Sequence, residues 1–537
     1  MHRSGAQLVR YALEQLNTEQ TFGVVGDLNR AIYSELQQSS IHTHLVNQEI
    51  SAAFMADAVS RTTQGEAVGT MLITADAIIN QGIAGAFIAG VPMLIIAGAA
   101  EPEDQILDQQ QLLAPLTKAC FRISRTQDIV SNLFEAHQIA TSDKPGPVYL
   151  EIPVALQLQT QEIDEPLPVH LCAANQPELD IQQIDTTAQA LLNAESPALL
   201  AGWGALCVQA DLIALAERLA MPVCTSLQGT SAFPAEHMLH AGLAASPSAQ
   251  QLFKDCDRLL ALGTDQQDLQ SADLPDNIIQ LAPRAIPALL YQLNQIQSNG
   301  KLFKTREKTN AKTIAKYKTQ LSEDWLEHNS KGRVNPAVFF AALSKALDSQ
   351  AIVVTGHGTH RALAAELLPI NNPRGFICPS SFNAMGYSVP AVNAIKMANP
   401  DKQVVGIVGD GAMMINGMEV QTAVHQKLGT LYCLFNNSQR STNKNSGHMN
   451  WGAFADALEC AYFPINNNQG IDTIMRRALE TTAQGQPVIL EVCIDYSRKS
   501  YYAQHQDKVR QASLPGRDRL GDVKRAIVRK IMGAKAD

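Results

Sequence analysis

Short apolar runs alternate with helix-length amphipathic segments in the first third of the chain. The apolar runs are Thr21–Val25, Thr43–Val46, Val68–Ile73, Met93–Ala97 and Val148–Ile152. Runs of this length, separated by helical segments, predict parallel strands that are covered by helices on both faces. The first region is therefore expected to be an open α/β sheet.

The same alternation occurs twice more along the chain. In the middle region, strands are predicted at Ala198–Ala201, Pro222–Thr225 and Arg258–Gly263. In the last region, they are predicted at Ile352–Thr355, Val404–Val408, Leu431–Phe435 and Val488–Cys493. The expected fold class is α/β, with three open domains that each contain a central parallel sheet.

Composition changes along the chain suggest the domain boundaries. We expect domains over residues 1–160, 178–325 and 333–497, followed by a C-terminal tail over 498–537. The lysine-rich stretch 301–333 is expected to be a solvated connector. In the tail, residues 517–535 are basic and carry apolar side chains at helical spacing, which predicts a surface helix.

One uncharged segment, Ala77–Ala100, is long enough to span a bilayer. Pro92 divides it, so Ile78–Ala89 predicts a buried helix and Met93–Ala97 a buried strand. We expect no membrane span here.

Charge and cysteine content narrow the functional class. The chain has 537 residues and a net charge of −9, which argues against nucleic acid as the main partner. Its nine cysteines form no CxxC pair, so neither a zinc site nor a disulfide framework is predicted. The N-terminus leads into a polar amphipathic stretch and not a signal peptide. A cytoplasmic protein is expected.

Two short motifs, 27 positions apart, carry the strongest chemical signal. Gly409-Asp410-Gly411 directly follows one predicted strand, and Asn436-Asn437 directly follows the next. The Asp410 carboxylate, the Asn437 amide oxygen and the Gln439 main-chain carbonyl are hard oxygen donors that suit Mg²⁺. Backbone N–H groups at Gly411 and Ala412 could receive a diphosphate.

This spacing resembles the diphosphate and magnesium motif of the thiamin diphosphate (ThDP) enzyme superfamily, and the chain is most similar to its acetolactate synthase and pyruvate decarboxylase branch. The likeness extends to about residue 500. It implies a pyrimidine-binding domain, a central domain and a diphosphate-binding domain, with ThDP and Mg²⁺ as cofactors. The cofactor would supply most of the chemistry.

The resemblance assigns further roles around the cofactor. Glu49, in the stretch Asn47–Ala56, is similar to the family's activating glutamate, whose hydrogen bond to N1′ of the aminopyrimidine assists loss of the C2 proton. Met385 corresponds to the apolar side chain that wedges beneath the cofactor. The main-chain carbonyl of Asn383 would accept a hydrogen bond from the 4′-amino group.

A second group of matches is more specific to acetolactate synthases. The segment His357, Gly358, Thr359 and His360 resembles the loop that touches the diphosphate, although Thr359 replaces a glutamine. Gln105 resembles a glutamine that reaches the active site, because it stands at the family's spacing from Asp108 and Lys118. The three residues form an incomplete match, since the neighbouring aromatic residue is missing.

Several departures from the family leave the substrate open. Thr74-Ala75-Asp76-Ala77 replaces the usual Ser-Gly-Pro-Gly, and Gln48 replaces a histidine. Asn443 replaces a glutamate of the decarboxylases, whose paired histidines are also missing. Asp27, by contrast, matches an acidic residue of the decarboxylases and is a candidate catalytic residue.

The resemblance implies decarboxylation of a 2-oxo acid followed by carboligation, as in acetolactate synthase, with a 2-oxo acid or aldehyde as substrate. A 2-oxoacid decarboxylase, a 2-hydroxyacyl lyase and a ThDP-binding protein without turnover are the alternatives. A homodimer or homotetramer with active sites between subunits is expected. The turn glycines Gly202, Gly204 and Gly263 leave FAD in the central domain possible but undetermined.

Overall fold

A computed structural model describes residues 2–63, 67–75, 77, 79–101, 107–163, 166–170, 179–296, 300–379, 382–436 and 449–513. The chain divides into two compact units, which comprise Met1–Ile181, Asn329–Ala364 and Leu368–Asp495 in the first and Gln182–His328, Ala365–Leu367 and Tyr496–Asp537 in the second. The prediction of three parallel α/β sheets is confirmed: the first unit contains two of them and the second unit contains one.

The N-terminal sheet has six parallel strands in the order β3-β2-β4-β5-β7-β6. The strands of this region are β1 His2–Ser4, β2 Gln20–Gly23, β3 His42–Leu45, β4 Gly69–Thr74, β5 Met93–Ala99, β6 Ala119–Arg122, β7 Pro147–Pro153 and β8 Thr160–Glu162. Its helices are α1 Gly5–Gln15, α2 Arg30–Leu36, α3 Glu49–Thr62, α4 Asn80–Ala89, α5 Gln109–Leu113, α6 Ile129–Thr141 and α7 Val154–Leu158. The short strands β1 and β8 pair separately and antiparallel.

The long uncharged segment forms part of this core, as predicted. Helix α4 ends at Ala89, and Gly90 adopts a left-handed conformation that terminates it. Strand β5 follows and is buried at every position. Within the described residues, no helix is both long and apolar enough to cross a membrane.

The central sheet has five parallel strands in the order β11-β10-β9-β12-β13. These are β9 Pro197–Ala201, β10 Val223–Thr225, β11 His240–Leu243, β12 Arg258–Leu262 and β13 Ile278–Leu281. The helices are α8 Ile181–Asn193, α9 Gln209–Leu219, α10 Pro247–Phe253, α11 Ile286–Gln295 and α12 Gly300–Leu326. The predicted lysine-rich connector is largely the helix α12. Ile314 and Trp325 on this helix are buried, whereas Lys304, Lys308, Lys312 and Lys316 face solvent.

The C-terminal sheet has six parallel strands in the order β15-β14-β16-β17-β19-β18. These are β14 Ile352–Thr355, β15 Phe376–Ile377, β16 Val404–Gly409, β17 Thr430–Phe435, β18 Ala461–Ile465 and β19 Val488–Val492. The remaining helices are α13 Pro336–Ala346, α14 Thr359–Leu367, α15 Ser388–Ala398, α16 Asp410–Asn416, α17 Glu419–His425, α18 Trp451–Ala457, α19 Ile471–Ala483 and α20 Tyr501–Ser513. The predicted surface helix at 517–535 lies outside the described residues.

Within the first unit, the N- and C-terminal α/β domains pack through α3 and α15. The rings of Phe54 on α3 and Tyr387 before α15 meet edge to face, with centroids 5.5 Å apart. The backbone carbonyl of Arg61 accepts a hydrogen bond from the Arg374 side chain at 2.5 Å. Helix α3, which begins at Glu49, is therefore fixed by residues of the C-terminal domain.

Candidate functional site

The predicted motifs meet at the carboxyl edge of the C-terminal sheet. Thr355, which ends β14, pairs with Ile407 of β16, and Gly409, which ends β16, pairs with Phe435 of β17. Strand order reverses between β14 and β16, because β14 leads to one side of the sheet and β16 to the other. Open α/β sheets bind ligands in the crevice at such a point. The site motifs thus flank the crevice that this topology makes available.

Asp410 is the first residue of α16 and is half-buried. One carboxylate oxygen, Oδ1, accepts a hydrogen bond from the Gly411 amide at 2.8 Å, which helps to orient the side chain. Among the described residues, a Cβ atom at Gly411 would approach the Met385 Cε, at 3.3 Å, and no other neighbour within 4 Å. The backbone here is thus open on one side, with Met385 at its rim, and the arrangement fits a diphosphate group with a hard cation.

Asn436 is held in place by a carboxylate that the sequence did not single out. The Asn436 side-chain amide donates to Glu491 Oε1 at 2.6 Å, and the hydroxyl of Tyr462 donates to Glu491 Oε2. Glu491 lies on β19, next to β17. The predicted cation ligands Asn437 and Gln439 lie outside the described residues. Glu491 therefore holds Asn436, the residue directly before Asn437.

His360 lies beneath the glycine turns and not on their open side. It is 4% exposed, and burial lowers the pKa of its imidazole to about 3, with the Arg361 guanidinium contributing. A Cβ atom at Gly409 would lie 2.9 Å from the His360 Cε1. The ring is therefore neutral near pH 7 and supports the turns by packing. His357 is exposed, whereas Gly358 and Thr359 are half-buried at the start of α14.

Gly358 is predicted to be intolerant of a side chain. Its φ is +147°, and an added Cβ would lie 2.5 Å from the His360 Cε1. Gly470 is a matched control, because it also caps a helix at positive φ but has open space around it. We expect Gly358→Ala to lower the free energy of unfolding by about 1–3 kcal/mol more than Gly470→Ala in denaturant titrations. Equal losses would contradict the proposed overlap.

The segment that carries Met385 is tied down at both ends. Arg361 donates a hydrogen bond to the Asn383 Oδ1 at 2.9 Å, and the Asn416 side chain donates to the carbonyl of Gly386 at 3.1 Å. Met385 itself is 43% exposed, as expected for a side chain at the rim of a site that contacts a bound ligand. Asn383 has φ +59°, a left-handed conformation that asparagine tolerates better than most residues. The role of Arg361 is visible only in the structure.

Glu49 is the first residue of α3 and is half-buried. No hydrogen bond joins its carboxylate to another residue in the described part of the chain. The preceding residue, Gln48, makes no side-chain cap for this helix. Among the described residues, the Glu49 carboxylate thus has no hydrogen-bond partner. The start of its helix is held through Asn47, which hydrogen-bonds to Glu419 and Met418.

The other two catalytic candidates are Asp27 and Gln105, and the described residues show no contact that supports a catalytic role for either. The Asp27 side chain is 92% exposed and pairs with Arg30 at 2.8 Å. Gln105 lies outside the described residues, as do Asp76 and Asn443. The other two members of the Gln105 pattern have structural contacts: Asp108 caps α5, and the Lys118 ammonium donates to the carbonyl of Ser142 at 2.6 Å. The structure therefore leaves Asp27 and Gln105 as predictions.

The turn glycines of the central domain do not fit a flavin diphosphate. The Gly204 amide donates to the carbonyl of Gly263 at 2.9 Å, and a Cβ atom at Gly202 would lie 2.3 Å from the same oxygen. Asp268 is buried beside Gly202, and burial raises the pKa of its carboxyl group to about 7, with Asp265 adding to the effect. These turns therefore close on each other beside a buried carboxyl group and leave little room for a phosphate at their backbone.

Purified protein is accordingly expected to contain no flavin. We expect neither a flavin band in the visible absorbance spectrum nor flavin fluorescence after denaturation. A sample incubated with FAD and then desalted provides the control for loss during purification. Stoichiometric flavin in either sample would contradict the lack of fit at Gly202, Gly263 and Asp268.

Three family models match the chain, and together they cover most of it. They are the thiamine pyrophosphate enzyme N-terminal TPP binding domain over residues 3–116, the central domain over 184–288 and the C-terminal TPP binding domain over 356–492. The last match begins directly after β14 and contains β16, Asp410 and Met385.

Curated relatives match over nearly the whole chain. The acetolactate synthase large subunit of Buchnera aphidicola subsp. Schizaphis graminum is 26% identical, over 94% of this chain and 97% of the relative. That of Haemophilus influenzae is 28% identical, over 81% and 82%. The acetolactate synthase isozyme 3 large subunit of Escherichia coli is 26% identical, over 93% and 96%.

Proposed function

Because the chain belongs to the thiamine pyrophosphate enzyme family, we propose that it is a ThDP- and Mg²⁺-dependent enzyme that decarboxylates a 2-oxo acid and joins the remaining acyl unit to a second carbonyl compound. One observation carries this proposal: Asp410, the open Gly411 backbone and Met385 meet at the reversal of strand order. The three relatives described above, which are named as acetolactate synthase large subunits, favour carboligation over simple decarboxylation.

The chain offers suitable groups for both parts of the cofactor. Amides at Gly411 and Ala412 would bind the diphosphate, and Asp410, with Asn437 and Gln439, would hold Mg²⁺. Met385 would support the cofactor from the rim of the site. When bound, ThDP supplies the electron sink that lets a carboxylate leave from the carbon next to a carbonyl.

Glu49 is proposed to hold a proton at N1′ of the aminopyrimidine and thereby to assist proton removal at C2. A carboxylate in hydrogen-bond reach of a ring nitrogen is suited to this exchange. The family resemblance assigns Glu49 and Asp410 of one active centre to different subunits. The half-buried Glu49 carboxylate would then face the cofactor of a second copy of the chain.

The reaction is tested by adding pyruvate, ThDP and Mg²⁺ to the purified protein and following carbon dioxide and 2-acetolactate. Equimolar formation of both is the expected result. Carbon dioxide with free acetaldehyde would identify a 2-oxoacid decarboxylase instead, for which the match at Asp27 is the motive. If pyruvate is inert, a panel of 2-oxo acids and 2-hydroxyacyl compounds distinguishes another donor, or a lyase, from a protein that binds ThDP without turnover.

An exposed apolar face next to the site supports assembly into a dimer or tetramer. Its members are Phe382, Met385, Met414, Ile415 and Met418, which are between 43% and 70% exposed. Clustered apolar side chains of this kind mark interaction surfaces. A second copy of the chain is the proposed occupant, because it would also bring Glu49 to the cofactor.

Met414→Lys is therefore expected to weaken assembly. Met414 is 70% exposed, and a lysine there would have to lose its hydration in the proposed interface. We expect the dimer dissociation constant to rise at least about tenfold in sedimentation or light-scattering measurements. The control is Met238→Lys, at a 54% exposed methionine of the central domain. Unchanged assembly in Met414→Lys would count against this face.

The compartment proposed is the cytoplasm. The eight cysteines in the described part of the chain form no disulfide bond, and several of them, including Cys224 and Cys433, are buried. Unpaired cysteines are typical of proteins in reducing compartments.

A further inference from the structure

Glu419, the first residue of α17, is a buried carboxylate that faces the start of α3. It is 1% exposed and belongs to the C-terminal domain, whereas α3 belongs to the N-terminal domain of the same chain. Helix α3 begins at Glu49, the candidate activating residue. A charged side chain is rarely buried to this extent unless other groups compensate for the loss of water.

The compensating groups come from the start of α3. The Oε1 atom of Glu419 accepts a hydrogen bond from the Asn47 backbone amide at 2.9 Å. The nearby Gln48 amide and Ser51 side chain help to lower the pKa of the carboxyl group. The Oε2 atom accepts from the Thr422 hydroxyl at 2.8 Å. Both oxygens thus accept a hydrogen bond, and one of the two donors, the Asn47 backbone amide, lies two residues before Glu49.

Glu419 anchors the backbone just before α3, at a helix start where the local side-chain cap is missing. Helix starts leave backbone N–H groups without partners inside the helix, and a side chain just before the helix usually accepts from them. In α3 that position is Gln48, whose side chain makes no such bond. The Asn47 side chain adds a second tie, because its amide donates to the carbonyl of Met418 at 3.0 Å.

Later turns of α3 are fixed independently. Arg61 and Asp57 form a buried ion pair within the helix, with Arg61 Nε 2.6 Å from Asp57 Oδ2. Arg374 and Tyr387 of the C-terminal domain contact the same part of the helix. Loss of Glu419 should therefore release the helix start while leaving the rest of α3 docked.

We propose that Glu419 is a positioning residue that fixes the start of α3 and so sets the place of the Glu49 carboxylate. This inference rests on the proposed function, because it takes Glu49 to be the group that meets the aminopyrimidine. Glu419 acts through backbone amides and need not touch the cofactor. Burial raises the pKa of Glu419, whereas its hydrogen bonds lower it.

The test compares Glu419→Ala and Glu419→Gln with the wild-type full-length holoenzyme. Proton exchange at C2 of bound ThDP, kcat, KM and cofactor affinity are measured for each. We expect Glu419→Ala to slow C2 exchange and to lower kcat by about 10- to 100-fold, because small displacements of reacting groups have effects of this size. We expect KM and the ThDP affinity to change less than about threefold, on the same geometric grounds.

Glu419→Gln keeps one acceptor oxygen for the Asn47 amide, so its exchange rate should lie between those of the wild type and Glu419→Ala. The control is Asp268→Asn, which neutralises another buried carboxylate that accepts from a backbone amide, that of Asp265, at 3.2 Å. This variant should lose thermal stability without slower C2 exchange. Equal slowing in Asp268→Asn and Glu419→Gln would overturn the positioning role.

Two further measurements separate this inference from the proposed function. Amide hydrogen exchange at residues 47–51 needs no cofactor and should speed up in Glu419→Ala but not in Glu49→Gln. If Glu49→Gln leaves C2 exchange unchanged, the proposed function fails and the positioning role fails with it. If Glu49→Gln slows C2 exchange but Glu419→Ala does not, only the positioning role is overturned.

Discussion

Glu49→Gln is expected to slow C2-proton exchange of bound ThDP by about 10²- to 10⁴-fold, the range in which a positioned acid–base group contributes. The amide keeps the size of the side chain but cannot hold a transferable proton at N1′. Glu49 is half-buried and accepts no hydrogen bond from other described residues, so its replacement leaves no buried protein donor unpaired there. Cofactor affinity should therefore stay within about threefold of the wild-type value.

The matched control is Glu135→Gln, the same chemical change on the exposed side of α6 in the same domain. It should exchange the C2 proton at the wild-type rate. Exchange is measured by quenching the holoenzyme in acid after transfer to deuterated water and observing the C2 proton by nuclear magnetic resonance. Wild-type exchange in Glu49→Gln would remove the main support for a catalytic role, even if ThDP binds.

Asp410→Ala is expected to weaken Mg²⁺-dependent ThDP binding by about 10²- to 10³-fold. Removing one partner of a desolvated charge pair costs about 3–4 kcal/mol, which corresponds to that change in affinity. The carboxylate is held by the Gly411 amide at 2.8 Å next to the open backbone, where a bound cation would meet it. Excess Mg²⁺ should restore little of the affinity.

Asp472→Ala is the control, because Asp472 is an exposed aspartate in the first turn of α19 in the same domain. It shares the favourable interaction with a helix start but lies away from the crevice. ThDP titrations by fluorescence or circular dichroism at several Mg²⁺ concentrations report both variants. If Asp410→Ala bound ThDP as tightly as Asp472→Ala, a cation site at Asp410 would be untenable.

The central strands and their motifs could be predicted because the information is local. A strand that is buried on both faces is a continuous apolar run, as in β5, β16 and β17, and the residues that follow it lie at the sheet edge. Gly409-Asp410-Gly411 and Asn436 were found in this way. The structure confirms that Gly409 and Phe435 end paired strands.

The missed strands show the limit of that signal. In the three main sheets, β6, β11, β13, β15 and β18 were not predicted, and each is an outermost strand of its sheet. Several of them, such as β6 and β18, are only partly buried, so their sequences mix polar and apolar residues. An edge strand needs fewer apolar side chains, and its pairing depends on a neighbour that is distant in the chain.

The sequence by itself determined the three α/β domains and the strand ends that carry Asp410 and Asn436. It also determined the family whose motifs match at Glu49 and Met385. These features depend on short runs of residues whose periodicity and spacing act locally. Only the tertiary structure decided which groups support them: Glu491 at Asn436, Arg361 at Asn383, and Glu419 at the helix start before Glu49. A hydrogen bond between residues 47 and 419 leaves no periodic trace in a sequence, because it depends on how two folded domains pack.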